Sequence, residues 1–170
     1  MQITREQTVV NFNIFSATLT AKDIEARTGI TPDDFWKIGD VRGAFGAKEK
    51  EHGFILNSKA RITDSLDDHL KEMIKRLAPY AQKIGALANE CKIEMSCQIH
   101  RKQAPRLKFE RDDLRWLGVM GARLDVDVHL LAEPTKPAGM GPSGSTTGAT
   151  GTGGTTGGSG TTTNPGMYQG

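Results

Sequence analysis

Apolar and polar residues alternate strictly in three stretches of the chain, which begin at Thr8, Lys92 and Arg123. A period of two is typical of a β-strand that buries one of its faces. Residues 52–59 predict a further strand, although their apolar positions are continuous rather than alternating. Residues 107–110 predict a short strand that follows a basic turn. The pattern therefore indicates a sheet with one apolar and one polar face.

Three helices are predicted between these strands. Thr20-Ala-Lys-Asp23 and Ser65-Leu-Asp-Asp68 are capping boxes, in which the first and fourth residues satisfy each other's backbone amides. Gly29 is expected to end the first helix, and Pro79 to kink or restart the second. The third helix is predicted at residues 111–120. Its buried residues are predicted to be Leu114, Leu117 and Gly118.

Two segments show no regular spacing of apolar and polar residues. Residues 31–34 predict a turn or a short helix, because Pro32 is followed by two aspartates. Residues 36–50 contain Gly39, Gly43 and Gly46, which interrupt any regular spacing. We therefore expect an irregular loop there.

The order of elements is β-α-β-α-β-β-α-β, which predicts an α+β fold. Because the strands keep one polar face, we expect a two-layer sandwich with an antiparallel or mixed sheet and helices on one face. The second half, βαββαβ, is the order of a ferredoxin-like unit. Residues 1–132 are predicted to form a single domain. Residues 133–170 are rich in Gly, Thr and Ser, so we expect a disordered tail that keeps the protein soluble, and a docking motif at Met167 and Tyr168 is the alternative.

Composition narrows the classes of function. The 170 residues include 22 Lys and Arg against 20 Asp and Glu, a net charge of +2 that is far from the basic balance of a dedicated nucleic-acid binder. The chain has no apolar stretch near the ~20 residues that cross a bilayer, and no secretory signal. Cys91 and Cys97 match no zinc spacing. We expect a cytoplasmic protein without membrane contact or cofactor.

A metal site is one hypothesis for the polar face of the sheet. Asp125, Asp127 and His129 share one face of a strand, and Glu94 and His100 lie on the polar face of another. If the two strands pair, these side chains form a set that a divalent metal accepts. The alternative interpretation is a sheet face that is simply wetted by water.

A basic cluster at residues 100–111 suggests weak binding to nucleic acid. The segment is predicted to form a hairpin, and its cations could clamp phosphates. Its sequence has no interleaved aromatic residues for base stacking, so solvated turn charges are the alternative. The candidate binding residues are Arg101, Lys102 and Arg106, with Lys108 and Arg111 beyond them.

The two tryptophans are candidates for a protein-binding surface. Trp36 lies in the glycine-rich stretch, and Trp116 lies beside the predicted apolar stripe of the third helix. Exposed tryptophan is enriched at binding hot spots, although each could instead cover the edge of a small core. Lys37, Asp40 and Arg42 follow Trp36 and belong to the same candidate surface.

Catalytic motifs are scarce in this chain. It contains no G-x-S-x-G, P-loop or H-E-x-x-H motif, and its histidines and cysteines are spread apart. The sequence therefore favours a non-catalytic module that binds another protein. An immunity or anti-defence protein of a bacterium or phage is a setting suggested by analogy. A metal-dependent enzyme using the polar face and a weak nucleic-acid binder are the alternatives.

Several segments carry a resemblance to a known family. They are Gly29-Ile-Thr-Pro32, Lys37-Ile-Gly-Asp40, Gly53-Phe-Ile-Leu-Asn-Ser58, Leu66…His69-Leu70…Leu77 and Leu117-Gly-Val-Met-Gly-Ala-Arg-Leu-Asp-Val-Asp127. On these motifs the chain resembles the bacterial DUF4279 family over residues 8–131. The resemblance implies the fold of the domain. It implies no activity and no catalytic residue.

Overall fold

The computed structural model of the protein describes residues 5–42 and 46–132. All of its elements belong to one unit, Met1–Pro134. The predicted disorder of residues 133–170, and the candidate motif at Met167 and Tyr168, lie outside the described residues.

Five strands form the main sheet. In chain order they are β1 (Gln7–Ser16), β2 (Asp34–Trp36), β5 (His52–Asn57), β6 (Lys92–Arg101) and β7 (Arg123–Leu130), and the short strands β3 (Val41–Arg42) and β4 (Ala47–Lys48) form a separate hairpin. The order across the sheet is β2-β5-β1-β6-β7. Neighbours are antiparallel except β6 and β7, which are parallel. The predicted α+β fold with a mixed sheet is confirmed.

Four α-helices complete the described part of the domain: α1 (Ala21–Thr28), α2 (Leu66–Leu77), α3 (Ala81–Gly85) and α4 (Arg111–Met120). Both predicted capping boxes form, since Thr20 and Ser65 each exchange hydrogen bonds with the aspartate three residues later. Gly29 ends α1 with a left-handed φ of 82°. Pro79 lies in a 3₁₀ turn between α2 and α3, as a restarted helix requires. Among these helices, none is long and apolar enough to span a membrane.

The core lies between the helices and one face of the sheet. Strands β1, β5 and β6 supply fully buried residues that include Phe12, Phe54 and Met95. Helix α2 faces them with side chains spaced at i, i+3 and i+7, namely Leu70, Met73 and Leu77. Cys97 is buried in the same layer, as its position on the apolar side of the strand predicted, and burial raises the pKa of its thiol to about 12. The other side of the sheet, which we call the open face, carries most of the polar strand residues together with Phe15, Trp36 and Ile55.

The predicted strand at residues 107–110 is wrong. This segment has no regular secondary structure and joins no sheet, since β1 and β7 already occupy both edges of β6. The chain instead passes through α4 and returns as β7, which makes a parallel βαβ unit. The predicted hairpin at residues 100–111 is therefore also absent. What remains of the ferredoxin-like order is a split βαβ, in which β1 lies between β5 and β6.

Residues 31–50 are more regular than the sequence indicates. Asp34–Trp36 form strand β2 rather than a turn or a short helix, because they pair with residues 53–55 of β5. Within the segment expected to be a loop, β3 and β4 pair as a hairpin. Gly39 and Gly46 adopt positive φ angles of 89° and 65°. Gly39 and Gly46, which break the periodicity, thus allow the turns, and Gly43 lies outside the described residues.

The buried face of α4 also differs from the prediction. Leu117 is buried, but Leu114 and Gly118 are exposed. The inward residues are Asp113, Leu117 and Met120, which follow the spacing i, i+4 and i+7. Because Asp113 is polar, hydrophobicity alone selects its neighbour Leu114 as the buried residue of the first turn.

Two helical glycines make a matched test of how closely α3 and α4 pack. A Cβ atom at Gly85 would lie 2.4 Å from the backbone oxygen of Val119, whereas one at Gly118 would meet nothing within 4 Å. Gly85→Ala should therefore reduce the free energy of unfolding by about 1–3 kcal/mol. Gly118→Ala should increase it by about 0.5–1 kcal/mol, because alanine favours the helix. Urea denaturation measures both, and equal effects would contradict the close approach.

Candidate functional site

A hydrogen-bonded arm, residues 34–42 and 46–50, extends from the β2 edge of the sheet. The amide of Lys37 donates to the Asp40 carboxylate at 2.7 Å, which closes the turn after β2. The amide of Gly39 donates to the oxygen of Glu49 at 2.8 Å, and the amide of Glu49 donates to the oxygen of Asp40 at 2.9 Å. The β3–β4 hairpin continues this pairing. Lys37 and Asp40, two of the predicted site residues, therefore shape the arm.

Trp36 fixes the arm to the sheet. Its indole covers Gly53 of β5 so closely that a Cβ atom there would lie 2.2 Å from the ring. The guanidinium of Arg42 lies over the indole, 4.4 Å from the ring centroid. The indole Nε1 donates to the oxygen of Glu51 at 3.1 Å, and the ring of Phe15 lies 5.9 Å away. The structure thus brings the predicted residues Trp36 and Arg42 together, as a clamp between arm and sheet.

An ion pair adds to this clamp. The Arg42 guanidinium donates to the Asp34 carboxylate at 2.8 Å. This hydrogen bond lowers the pKa of Asp34 below its usual value. Both side chains are exposed, so the pair contributes little to overall stability. Its effect is local, because it ties the first strand of the arm to its hairpin.

Asp33 anchors the base of the arm to the rest of the domain. Its carboxylate accepts hydrogen bonds from Lys59 at 2.8 Å, from Arg76 of α2 at 3.1 Å and from the amide of Asn57 at 2.8 Å. Burial alone would raise the pKa of Asp33, but these hydrogen bonds outweigh burial and lower it to about 2. The carboxylate is therefore ionised at every physiological pH.

The arm exposes large apolar side chains. Phe35, Ile38 and Val41 are all exposed although they lie within seven consecutive residues. The charged side chains of Lys37, Asp40 and Arg42 alternate with them. A cavity of about 320 Å³ adjoins the arm and is lined by Phe15, Trp36, Lys48, Glu49, Lys50 and Glu51. Apolar groups rimmed by charges are typical of a surface that contacts another protein.

The open face brings part of the predicted metal set together. Strands β6 and β7 are neighbours, as that hypothesis requires, and His100 lies opposite His129 with the rings stacked at 4.7 Å. His100 is only 8% exposed, and its Nδ1 has no hydrogen-bond partner. Asp127 and Asp125 lie one and two repeats back from His129 along β7, at about 7 Å per repeat. Within residues 5–42 and 46–132, no three His, Cys, Asp or Glu side chains are grouped as metal ligands.

The residues of the predicted basic cluster lie on strand β6, on the segment that follows it and on helix α4. Arg101 lies on the helix side, where it donates to the Thr8 hydroxyl at 2.7 Å. The amide of Lys102 donates to the Glu6 carboxylate at 2.9 Å, and Lys108 pairs with Glu110 at 2.6 Å. Arg106 is exposed in the extended segment, and Arg111 begins α4. Arg101 and Lys108 are thus already paired within the domain.

Trp116 belongs to a separate surface. It lines a cavity of about 400 Å³ beside α3 and α4, together with Gln82, Asp112, Arg115 and Val119. Trp36 lies on the edge strand β2, so the two tryptophans do not form a common site. Of the two, only Trp36 lies among other predicted binding residues.

Several residues that build the arm were not predicted from the sequence, among them Gly53, Phe15 and the exposed Phe35, Ile38 and Val41. Gly53 carried a usable signal, because a glycine inside an apolar strand often marks a close approach by another group. The sequence gives no comparable signal for the partners of Asp33, because Lys59 and Arg76 are distant from it in the chain.

The Trp36–Gly53 contact predicts a specific coupling between two substitutions. Gly53→Ala should reduce the free energy of unfolding by about 1–3 kcal/mol, because the new methyl group displaces the indole. In a Trp36→Ala background the same substitution should cost much less. A double-mutant cycle measured by urea denaturation tests this coupling. Additive effects would show that the indole does not pack on Gly53.

The hydrogen bonds to Asp33 predict a pH dependence. Because its folded-state pKa of about 2 lies below the usual 3.8, the carboxylate stabilises the domain above about pH 4. This contribution is lost as the pH falls from about 4 through about 2. Asp33→Asn should therefore cost about 1–2 kcal/mol near neutral pH and progressively less towards pH 2. Denaturation curves across this range provide the measurement, and a constant difference would contradict it.

Comparison with known proteins identifies the family of this domain. No curated protein and no solved structure matches the chain. One family model, described as a domain of unknown function (DUF4279), matches residues 6–131, which include every helix and strand described above. The chain therefore belongs to the DUF4279 family.

Proposed function

We propose that this protein is a non-catalytic module that binds another protein through the arm. The observation that carries the proposal is the exposure of Phe35, Ile38 and Val41 on a segment held by Trp36 and Arg42. An apolar side chain that is exposed in the free protein can be buried in a complex, with a gain of about 25 cal/mol per Å². Of the nine exposed large apolar residues in the described part of the chain, three lie close together in the arm.

The clamp supports binding because it prepares the arm in advance. Association is opposed by the loss of freedom in loops and side chains that become ordered. In this domain the turn, the hairpin and the Asp33 anchor already fix the backbone on either side of the apolar residues. Binding of a partner therefore removes little conformational entropy from the arm. The charged residues Lys37, Asp40 and Arg42 would orient the partner.

The proposal extends to the biological setting. We place the protein in the cytoplasm, as an immunity or anti-defence protein of a bacterium or phage. Support comes from the lack of catalytic motifs in the sequence and from analogy with other small α+β domains that act by binding. In this setting the partner is a protein that the domain neutralises or protects.

A metal-dependent enzyme is the second candidate, and the pairing of His100 with His129 favours it over the nucleic-acid alternative. Two adjacent imidazoles on an open face are acceptable metal ligands, and Asp127 adds negative charge nearby. Metal analysis of the purified protein tests this candidate. Stoichiometric zinc that disappears in His129→Ala, but not in His52→Ala, would support it.

Val41 and Ile62 allow a matched test of binding through the arm. Their exposed fractions are similar, 62% and 58%, but Ile62 lies outside the arm. Tagged protein should recover a stoichiometric protein partner from its native host. Val41→Ser should weaken binding to that partner by about tenfold, whereas Ile62→Ser should change it by less than about twofold. Equal effects, or the absence of a stoichiometric partner, would contradict the proposal.

A further inference from the structure

Strand β7 forms a long and regular edge of the sheet. It runs beside β6 in continuous register for eight residues, without a bulge and without proline. In the part of the chain that the structure describes, no strand lies on its outer side. Edge strands of natural proteins are commonly shortened, bulged or interrupted by proline. β7 has none of these three features, and the charges it carries on its open face are the aspartates Asp125 and Asp127 and the arginine Arg123.

The hydrogen bonding to β6 shows which backbone groups of β7 face outward. The amide of Leu131 donates to the oxygen of Arg101 on β6 at 2.8 Å. Successive residues of a strand direct their N–H and C=O groups to alternate sides, so the odd-numbered residues of β7 face β6. The outward groups therefore belong to Leu124, Val126, Val128 and Leu130.

The two sides of this edge differ in chemistry. On the helix side, Val128 and Leu130 are 39% and 62% exposed, and Leu124 and Val126 are partly buried against the core. On the open face, Asp125 and Asp127 are exposed. Arg123 approaches Asp125 only at 3.6 Å and bonds Glu94 more closely, at 2.7 Å. The edge is thus apolar on one side and acidic on the other.

We propose that β7 accepts an extended segment of another protein as a sixth strand. The segment would alternate cationic and apolar residues, so that its cations meet Asp125 and Asp127 while its apolar side chains cover Val128 and Leu130. Backbone hydrogen bonds would supply the affinity, and the alternation would supply the specificity. This site lies at the opposite edge of the sheet from the arm, about 20 Å away across four strand spacings, and it does not depend on the proposed function.

Charge favours such a segment over a second copy of this chain. In both registers of a symmetric antiparallel pairing that give the longest overlap of β7 with itself, an aspartate lies opposite an aspartate. Asp127 would face Asp127, or Asp125 would face Asp127. Like charges directly opposite each other destabilise a strand pair. A cationic segment meets no such repulsion.

The test uses the full chain and two labelled peptides of about nine residues, long enough to span β7. One peptide alternates lysine with valine, and its control alternates glutamate with valine. Fluorescence anisotropy at low salt should show saturable binding of the lysine peptide and at least about tenfold weaker binding of the glutamate peptide. Equal binding of the two peptides, or no binding of the lysine peptide, would overturn the proposal.

Two substitutions of Val128 test whether the outward backbone N–H groups of β7 bind the peptide. Val128→Pro removes one outward N–H without breaking the ladder to β6, whereas Val128→Thr keeps that N–H and the side-chain shape. The proline variant should bind the lysine peptide about tenfold more weakly, and the threonine variant should differ by less than about threefold. Equal affinities of the two variants would overturn strand addition.

A side-chain variant keeps the test decisive if the proline disturbs folding. Asp125→Asn combined with Asp127→Asn should weaken the lysine peptide about fivefold and flatten the salt dependence of binding. Val41→Ser on the arm should leave peptide binding unchanged, which separates this site from the proposed function. Unaltered binding by the double variant would overturn the inference, as would a dimer of the free protein that Val128→Pro dissociates.

Discussion

The structure depends on the position of β1 at the centre of the sheet, where it pairs with β5 on one side and β6 on the other. Its inward residues Val10, Phe12 and Ile14 are almost completely buried and are covered by the helices. Because β1 is antiparallel to both neighbours, β5 and β6 run parallel to each other. The chain between them must therefore cross over the sheet, and α2 and α3 make that crossing on the buried side. One strand thus sets the layers and the directions of the others.

Much of this fold could be predicted from the sequence, because the signals are local. The capping boxes at Thr20 and Ser65 and the alternation in β1, β6 and β7 each depend on neighbouring residues. Strand β2 escaped prediction because three residues are too few to show a period, and only pairing with β5 makes them a strand. The strand predicted at residues 107–110 is absent for a different reason. They alternate, but β1 and β7 already occupy both edges of β6, the strand that precedes them in the chain.

The candidate site was predicted only in part, because some of its interactions join residues that are distant in sequence. Trp36, Lys37, Asp40 and Arg42 could be selected from the sequence as a group, because they are close in the chain. What holds them is not local. Gly53 provides the space for the indole, and other distant residues secure the base of the arm. A sequence shows where charged and aromatic residues concentrate, but not which backbone will lie beneath them.

The two edges of the sheet also follow from the one-sided packing. All the helices use one face, so none of them is available to cover an edge strand. At one edge, β2 is three residues long, and its Trp36 is tied to β5 and to the arm. At the other edge, the βαβ connection places an eight-residue strand parallel to β6, with no element beyond it among the described residues. Parallel strands are usually covered on both faces and flanked by further strands. The exposed acidic and apolar sides of β7 are therefore the direct consequence of a crossover made at the end of the fold.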